Sequence, residues 1–175
     1  MKTKTFGLVL CGGKSTRMGM DKALLEYHGI PQYQWATNLL AEFCDTIYCS
    51  VSKALSDQIE GPIIIDKEID QGPLGGIQSA FEFNAEVNWL VMPCDMPELQ
   101  SSEIELLVER KNACCFKIEG RVNPLLSYWP NELIKSVKQA YGNGMRSPKR
   151  LVDQLGFEYL EPTNLAFHSN INRLK

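Results

Sequence analysis

Phe6-Gly7-Leu8-Val9-Leu10-Cys11-Gly12-Gly13-Lys14 is the stretch that decides the fold. Its apolar run, Phe6 to Cys11, ends at two adjacent glycines. A run of this kind reads as a β-strand buried on both faces, as in a parallel sheet. Such a strand needs helices on both sides, and the chain supplies strands and helices in alternation. Apolar residues recur at helical spacing from Tyr33 to Phe43 (Trp35, Ala36, Leu39, Leu40, Phe43). Thr46 to Val51 and Pro62 to Asp66 read as strands, Gly75 to Phe83 as a helix, and Asn88 to Met92 as a strand. Ser101 to Arg110 reads as a helix with Ser101 or Ser102 as its N-cap. Ala113 to Lys117 and Leu125 to Trp129 follow as strands, Glu132 to Tyr141 and Pro148 to Leu155 as helices, and Gly156 to Leu160 as a last strand. The expected fold is α/β: a Rossmann-like, three-layer α/β/α domain with a mainly parallel central sheet.

The bulk properties agree with one domain over residues 1–175. Hydrophobic residues make up 44% and charged residues 22%, the balance of a globular chain and not of a disordered one. Net charge is -3, with no block of like charge, so no nucleic-acid or lipid-headgroup partner is expected. No apolar run approaches the ~20 residues of a membrane span. Phe6 to Cys11 is too short for the core of a signal peptide, which points to a cytoplasmic protein. The cysteines are Cys11, Cys44, Cys49, Cys94, Cys114 and Cys115. They form no CxxC pair and the two histidines, His28 and His168, lie far apart, so neither a zinc site nor a disulfide framework is expected.

In open α/β sheets, ligands bind beyond the carboxyl ends of the strands. The segments to read for chemistry are therefore Gly12 to Lys22, Asp66 to Gly76, and Pro93 to Pro97. In the first, Gly12 and Gly13 allow a tight turn and close approach of a ligand to the backbone. Successive free N–H groups can cradle an anion, and Lys14, Arg17 and Lys22 add positive charge. A triphosphate needs such a surround. The loop is neither a Walker motif, because Leu8 stands where the first glycine belongs, nor a dinucleotide fingerprint, because its glycines are adjacent. The second segment places Gly72-Pro73-Leu74-Gly75-Gly76 before a helix, where an N-terminus favours negative charge. A plain proline–glycine turn would read the same way. The third puts Asp95 at the exit of a buried strand. An aspartate there either caps the following turn or holds a magnesium ion whose other ligands are phosphate oxygens and water.

The string Leu10-Cys11-Gly12-Gly13-Lys14-Ser15-Thr16-Arg17-Met18-Gly19-Met20-Asp21-Lys22 resembles the signature of nucleotidyltransferases that activate sugar phosphates, polyol phosphates and molybdopterin. It is most similar to that of the molybdenum cofactor guanylyltransferases, with Cys11 in place of the usual alanine. The resemblance implies the nucleotide-diphospho-sugar transferase type of fold and transfer of GMP from GTP to molybdopterin, with Mg2+ and loss of pyrophosphate. It implies catalytic roles for Arg17, Lys22 and Asp95, with the metal on Asp95. It implies nucleotide contacts from Leu10, Cys11, Gly12, Gly13, Lys22, Asp66, Gly72, Gly75 and Asp95. Arg150, Asn170 and Asn172 resemble the family's molybdopterin contacts, and Asn123-Pro124-Leu125 stands where the family often has His-Pro-Leu. After Asn172 the family continues as Thr-Pro-Glu-Asp. Here Arg173-Leu174-Lys175 stand instead, so the family's closing helix is not expected. GTP and molybdopterin are then the partners. Transient contact with other cofactor-biosynthesis proteins is compatible with this reading.

Two other readings stay open from the residues. One is a related nucleotidyltransferase, either a molybdopterin cytidylyltransferase or a sugar-phosphate nucleotidylyltransferase. Gly12 in place of an alanine leaves room for a purine edge and favours GTP. The other is a non-catalytic nucleotide-binding protein, which would not need to keep Lys22 and Asp95.

Overall fold

The computed structural model describes residues 3–12, 21–66 and 72–163. Within them lie seven strands: β1 (Thr5–Leu10), β2 (Thr46–Val51), β3 (Ile63–Ile65), β4 (Asn88–Pro93), β5 (Cys114–Ile118), β6 (Arg121–Trp129) and β7 (Glu158–Leu160). They form one sheet in the order β3-β2-β1-β4-β6-β5-β7. The run that opens the chain sits inside this sheet, with β2 and β4 parallel to it on either side. Its side chains alternate between two cores. Val9 and Cys11 face a layer built by α1 (Gln32–Leu40) and α3 (Ser101–Arg110). Leu8 and Leu10 face α2 (Pro73–Phe83), α4 (Ile134–Gly142) and α5 (Pro148–Leu155). Leu8 and Val9 are both fully buried, and burial of each such side chain contributes about 1.5–3 kcal/mol. A strand with one polar face could not sit here, so the continuous apolar run and the three-layer arrangement are one fact.

The expected mainly parallel sheet is observed, with β6 as the exception. It runs antiparallel to β4 and β5, while β7 is again parallel to β5. β6 is also longer than the expected Leu125 to Trp129 and starts at Arg121. A tight turn at Glu119 (φ 47°) and Gly120 (φ 79°) folds β5 back into β6, the left-handed geometry of a two-residue hairpin. Pro124 has no N–H to donate and hid this extension. It lies where pairing is interrupted: β5 pairs with Arg121, Val122 and Asn123 and again with Ser127 and Tyr128, and its register shifts between Cys115 and Phe116.

The helix ends follow local chemistry. α2 begins at Pro73, two residues before the expected start, because a proline's fixed φ suits the first helical position. α5 is capped by Ser147, whose Oγ accepts from Arg150 N at 3.3 Å, and closes at Gly156 with φ 70°. The expected serine cap of α3 is not formed. Gln100 is the capping residue and makes no side-chain bond, while Ser101 is already helical. The acidic residue of that first turn, Glu103, is buried and accepts from Thr163 N and Thr163 Oγ1. Among the described residues no helix is long and apolar enough to cross a membrane.

α2 lies close on β1 and β2 because Gly76 has no side chain. A Cβ there would stand 2.3 Å from Ser50 Oγ and 3.0 Å from Leu10 Cδ2. Gly76→Ala must therefore push the helix off the sheet or displace the hydroxyl. Overpacking of this kind costs typically ~1–3 kcal/mol. Thermal melting of Gly76→Ala against the parent checks it, with a lowered Tm as the expected result.

Candidate active site

The parallel strands β3, β2, β1 and β4 end on one edge of the sheet. The chain leaves β1 for β2 on one side, and reaches β4 from β3 on the other side of β1. Loops from β1 and β4 thus part at the topological switch point, where α/β sheets open a crevice. An open crevice of about 160 Å³ lies there. Leu10, Cys11 and Gly12 line it from β1, and Pro93, Cys94 and Asp95 from β4. Asp21, Lys22, Pro73 and Leu125 complete the lining.

Two opposite charges meet in this crevice. Lys22 Nζ lies 3.3 Å from Asp95 Oδ2, with side-chain exposures of 27% and 17%. Asp21 sets up the lysine: its Oδ1 accepts from Ala23 N at 3.0 Å and caps the short 3-10 turn Lys22–Leu24, whose Ala23 is fully buried. The segment that follows is fastened to the loop after β4. Tyr27 donates to Glu98 at 2.5 Å, and His28 Nε2 lies 2.7 Å from Pro97 O. The His28 ring also stacks on Trp35, with centroids 5.1 Å apart. Fully buried Gln32 completes the fastening. Its amide nitrogen donates to Cys94 O at 3.2 Å and its amide oxygen accepts from Tyr27 N at 3.3 Å.

On the β1–β3 side stands Asp66. Its Oδ1 accepts from Ser50 Oγ at 2.6 Å. Its Oδ2 lies 3.6 Å from a notional Gly12 Cβ. Burial pushes the Asp66 carboxyl above the usual carboxylate range, and the Ser50 hydroxyl pulls it back. Gly72, with φ 68°, turns the chain into α2, and Gly75 N donates to Gly72 O at 3.0 Å. The structure thus brings Leu10, Cys11, Gly12, Lys22 and Asp95 to one crevice, with Asp66 beside Gly12. Arg150 is exposed on α5 and does not line the crevice. Gly13, Arg17, Asn170 and Asn172 lie outside the described residues.

The thiols near the site are built for packing. The neighbouring Cys49 and Cys94 thiols, together with burial, hold Cys11 well above its ordinary value. Burial pushes Cys44, Cys114 and Cys115 up to about 12. Thiolate chemistry at neutral pH is thereby disfavoured for these four. Among the described residues no three His, Cys, Asp or Glu side chains gather as a metal cage. A partly exposed Asp95 in an open crevice instead suits a hard cation that keeps its waters and arrives with phosphate oxygens, which needs only one or two carboxylates.

Sequence reasoning missed Gln32 and Ser50. Gln32 is polar at a fully buried position, but a single glutamine at a helix start carries no signal. Ser50 is hidden inside a strand, and its role exists only because β3 brings Asp66 alongside.

The sequence profile of the MobA-like NTP transferase domain matches residues 7–158. The chain is 31% identical over 180 residues to the molybdenum cofactor biosynthesis bifunctional protein of Synechocystis, covering 98% of this chain and 52% of that protein. It therefore spans about half the length of that relative. It is 29% identical over 182 residues to the molybdenum cofactor guanylyltransferase of Serratia proteamaculans, covering 98% of this chain and 91% of that one. The crystal structure of molybdopterin-guanine dinucleotide biosynthesis protein A from Archaeoglobus fulgidus superposes with a TM-score of 0.74 at 24% identity, over 95% of this chain and 92% of that chain. The expected nucleotide-diphospho-sugar transferase type of fold is thereby observed.

The Gln32 bridge generates a test. Gln32→Leu keeps the bulk and strips Tyr27 N and Cys94 O of their shared partner. Leaving buried groups without a hydrogen bond costs ~1–3 kcal/mol. The expected outcome is a lower Tm, with faster amide exchange at Tyr27 as the local signature.

Proposed function

The chain belongs to the MobA-like NTP transferase domain family, and on that premise we propose that it is a molybdenum cofactor guanylyltransferase. It transfers GMP from GTP to the terminal phosphate of molybdopterin and releases pyrophosphate. The observation that carries this reading is the Lys22–Asp95 pair, at 3.3 Å, in the crevice at the switch point. A metal–triphosphate complex presents both signs of charge. A site for it needs a carboxylate and a cation side by side, reachable from solvent. This pair is both.

In the proposed reaction a phosphate oxygen of molybdopterin attacks the α-phosphorus of GTP in line, and the bond to pyrophosphate breaks. Phosphate is an adequate nucleophile at neutral pH, so the protein's task is to position the reactants and balance charge. Lys22 meets the charge that builds on the transferring phosphate and on pyrophosphate. Arg17 shares this role, its planar fork suiting paired contact with phosphate oxygens. Asp95 would hold Mg2+, which when bound neutralises phosphate charge and draws electron density from phosphorus. Gly13 with Gly12 offers backbone N–H groups to the phosphates. Gly72 and Gly75 hold the turn and helix start that flank the nucleotide. Arg150, Asn170 and Asn172 take molybdopterin. We take the single domain, residues 1–175, to act in the cytoplasm, where GTP is drawn from the common pool.

Base choice follows from Gly12. Among the described residues, a Cβ there would meet only Asp66 Oδ2, at the ordinary contact distance of 3.6 Å. No described residue demands a glycine at this position, so we assign its small size to what enters the crevice. A free backbone edge suits the broad purine.

Two measurements check the proposal. Pyrophosphate release with each of the four nucleoside triphosphates, Mg2+ and molybdopterin should be fastest with GTP. Equal or faster release with CTP would overturn the base assignment. Asp95→Asn and Lys22→Ala should each lose about a hundredfold in turnover, ~3 kcal/mol of barrier, while their melting temperatures stay near the parent's. A variant that keeps parental turnover at saturating Mg2+ and GTP removes its residue from the mechanism.

A further inference from the structure

We infer that Ser50 is a positioning residue for the nucleotide: its hydroxyl locks Asp66 so that one carboxylate oxygen is presented beside Gly12. The inference rests on the nucleotide-binding role proposed above for Asp66. Three observations converge on it. Ser50 is 1% exposed, so its hydroxyl has no solvent partner and must be satisfied by the protein. It donates to Asp66 Oδ1 at 2.6 Å, short enough for a bond to an ionised acceptor. A Cβ on Gly76 would stand 2.3 Å from the Ser50 Oγ, so the hydroxyl has its place only because that residue is glycine. Gly76, which follows the implied nucleotide contact Gly75, is thus accounted for by Ser50. Its missing side chain makes room for a hydroxyl.

The consequence falls on Asp66. With Oδ1 occupied by Ser50, the carboxylate cannot rotate freely about its last bond. Oδ2 is left on the side of Gly12, 3.6 Å from where a Cβ would stand. A carboxylate oxygen only accepts hydrogen bonds, so it takes an N–H or O–H donor of the nucleoside and not a phosphate. The Ser50 bond also favours the ionised form against the cost of burial, which keeps Oδ2 an acceptor.

The test compares Ser50→Ala and Asp66→Asn with the parent. The readouts are the Kd for GTP by calorimetry, KM and kcat by pyrophosphate release, and Tm. A hydrogen bond to a charged group contributes enough that its loss should raise the Kd and KM for GTP about tenfold in Ser50→Ala, with a much smaller fall in kcat. A merely structural serine predicts another pattern: lowered Tm, fewer active molecules, and unchanged Kd and KM. That pattern overturns the inference. Ser50→Cys covers the case in which the alanine variant fails to fold, because a thiol keeps the packing and donates weakly. The same rise in Kd is expected there. Asp66→Asn separates the two levels. If it weakens GTP binding and both Ser50 variants do not, the positioning role is wrong while the nucleotide reading stands. If Asp66→Asn binds GTP as the parent does, the role of Asp66 falls and that of Ser50 with it.

Discussion

A strand flanked by parallel neighbours and covered on both faces cannot choose where it ends. That constraint on β1 governs the rest of this molecule. Because β2 and β4 run the same way as β1, their carboxyl ends share its edge, and β3 joins them through β2. Ser50 lies just before its strand's exit, and Gly12, Asp66 and Asp95 lie just after theirs. They are separated by up to 83 positions in the chain and meet only because the ladder aligns them. The apolar run that builds the core is thus also the device that assembles the site.

Aligned exits fix where residues emerge, and further bonds fix where their side chains point. The crevice draws one charge from each of two loops, and loops alone hold positions loosely. Here the segment carrying Lys22 and the loop carrying Asp95 are fastened by the Gln32 amide, the Tyr27–Glu98 bond and the His28–Pro97 contact. Of the residues in these ties, only Cys94 belongs to the crevice lining. The ion pair they hold in place adds little to stability. Partly exposed pairs contribute on the order of 1 kcal/mol or less after side-chain ordering and screening. Several buried or well-shaped bonds thus maintain one weak pair, which is sensible if the pair's value lies in what it can bind.

Much of this was legible in the amino-acid order, and the gaps have physical causes. The alternation of apolar runs with helical spacing revealed the layers, and Thr46–Val51, Ser101–Arg110 and Pro148–Leu155 match their expected bounds. Where the reading failed, tertiary pairing had overruled a local signal. Pro124 argued against a strand, yet β6 passes through it at a break in the pairing. Ser101 and Ser102 looked like caps, yet the chain enters α3 one residue earlier. In the candidate site, glycines, lysines and aspartates after strands announce themselves because few other contexts use them. Ser50 and Gln32 do not, since their meaning comes from partners 16 residues away in one case and 62 in the other.

Two glycines near the crevice are small for opposite reasons. Gly76 is bound to the presence of a hydroxyl on β2, while Gly12 lines the crevice and, among the described residues, meets no more than an ordinary contact. Over evolutionary time these positions face different rules. Residue 12 lines the crevice, so a side chain there bears first on recognition. Residue 76 cannot grow by itself, since a larger residue on the helix requires the hydroxyl to leave first. A lineage built on this scaffold can therefore retune what it binds at the mouth of β1 while its foundation stays locked one strand away.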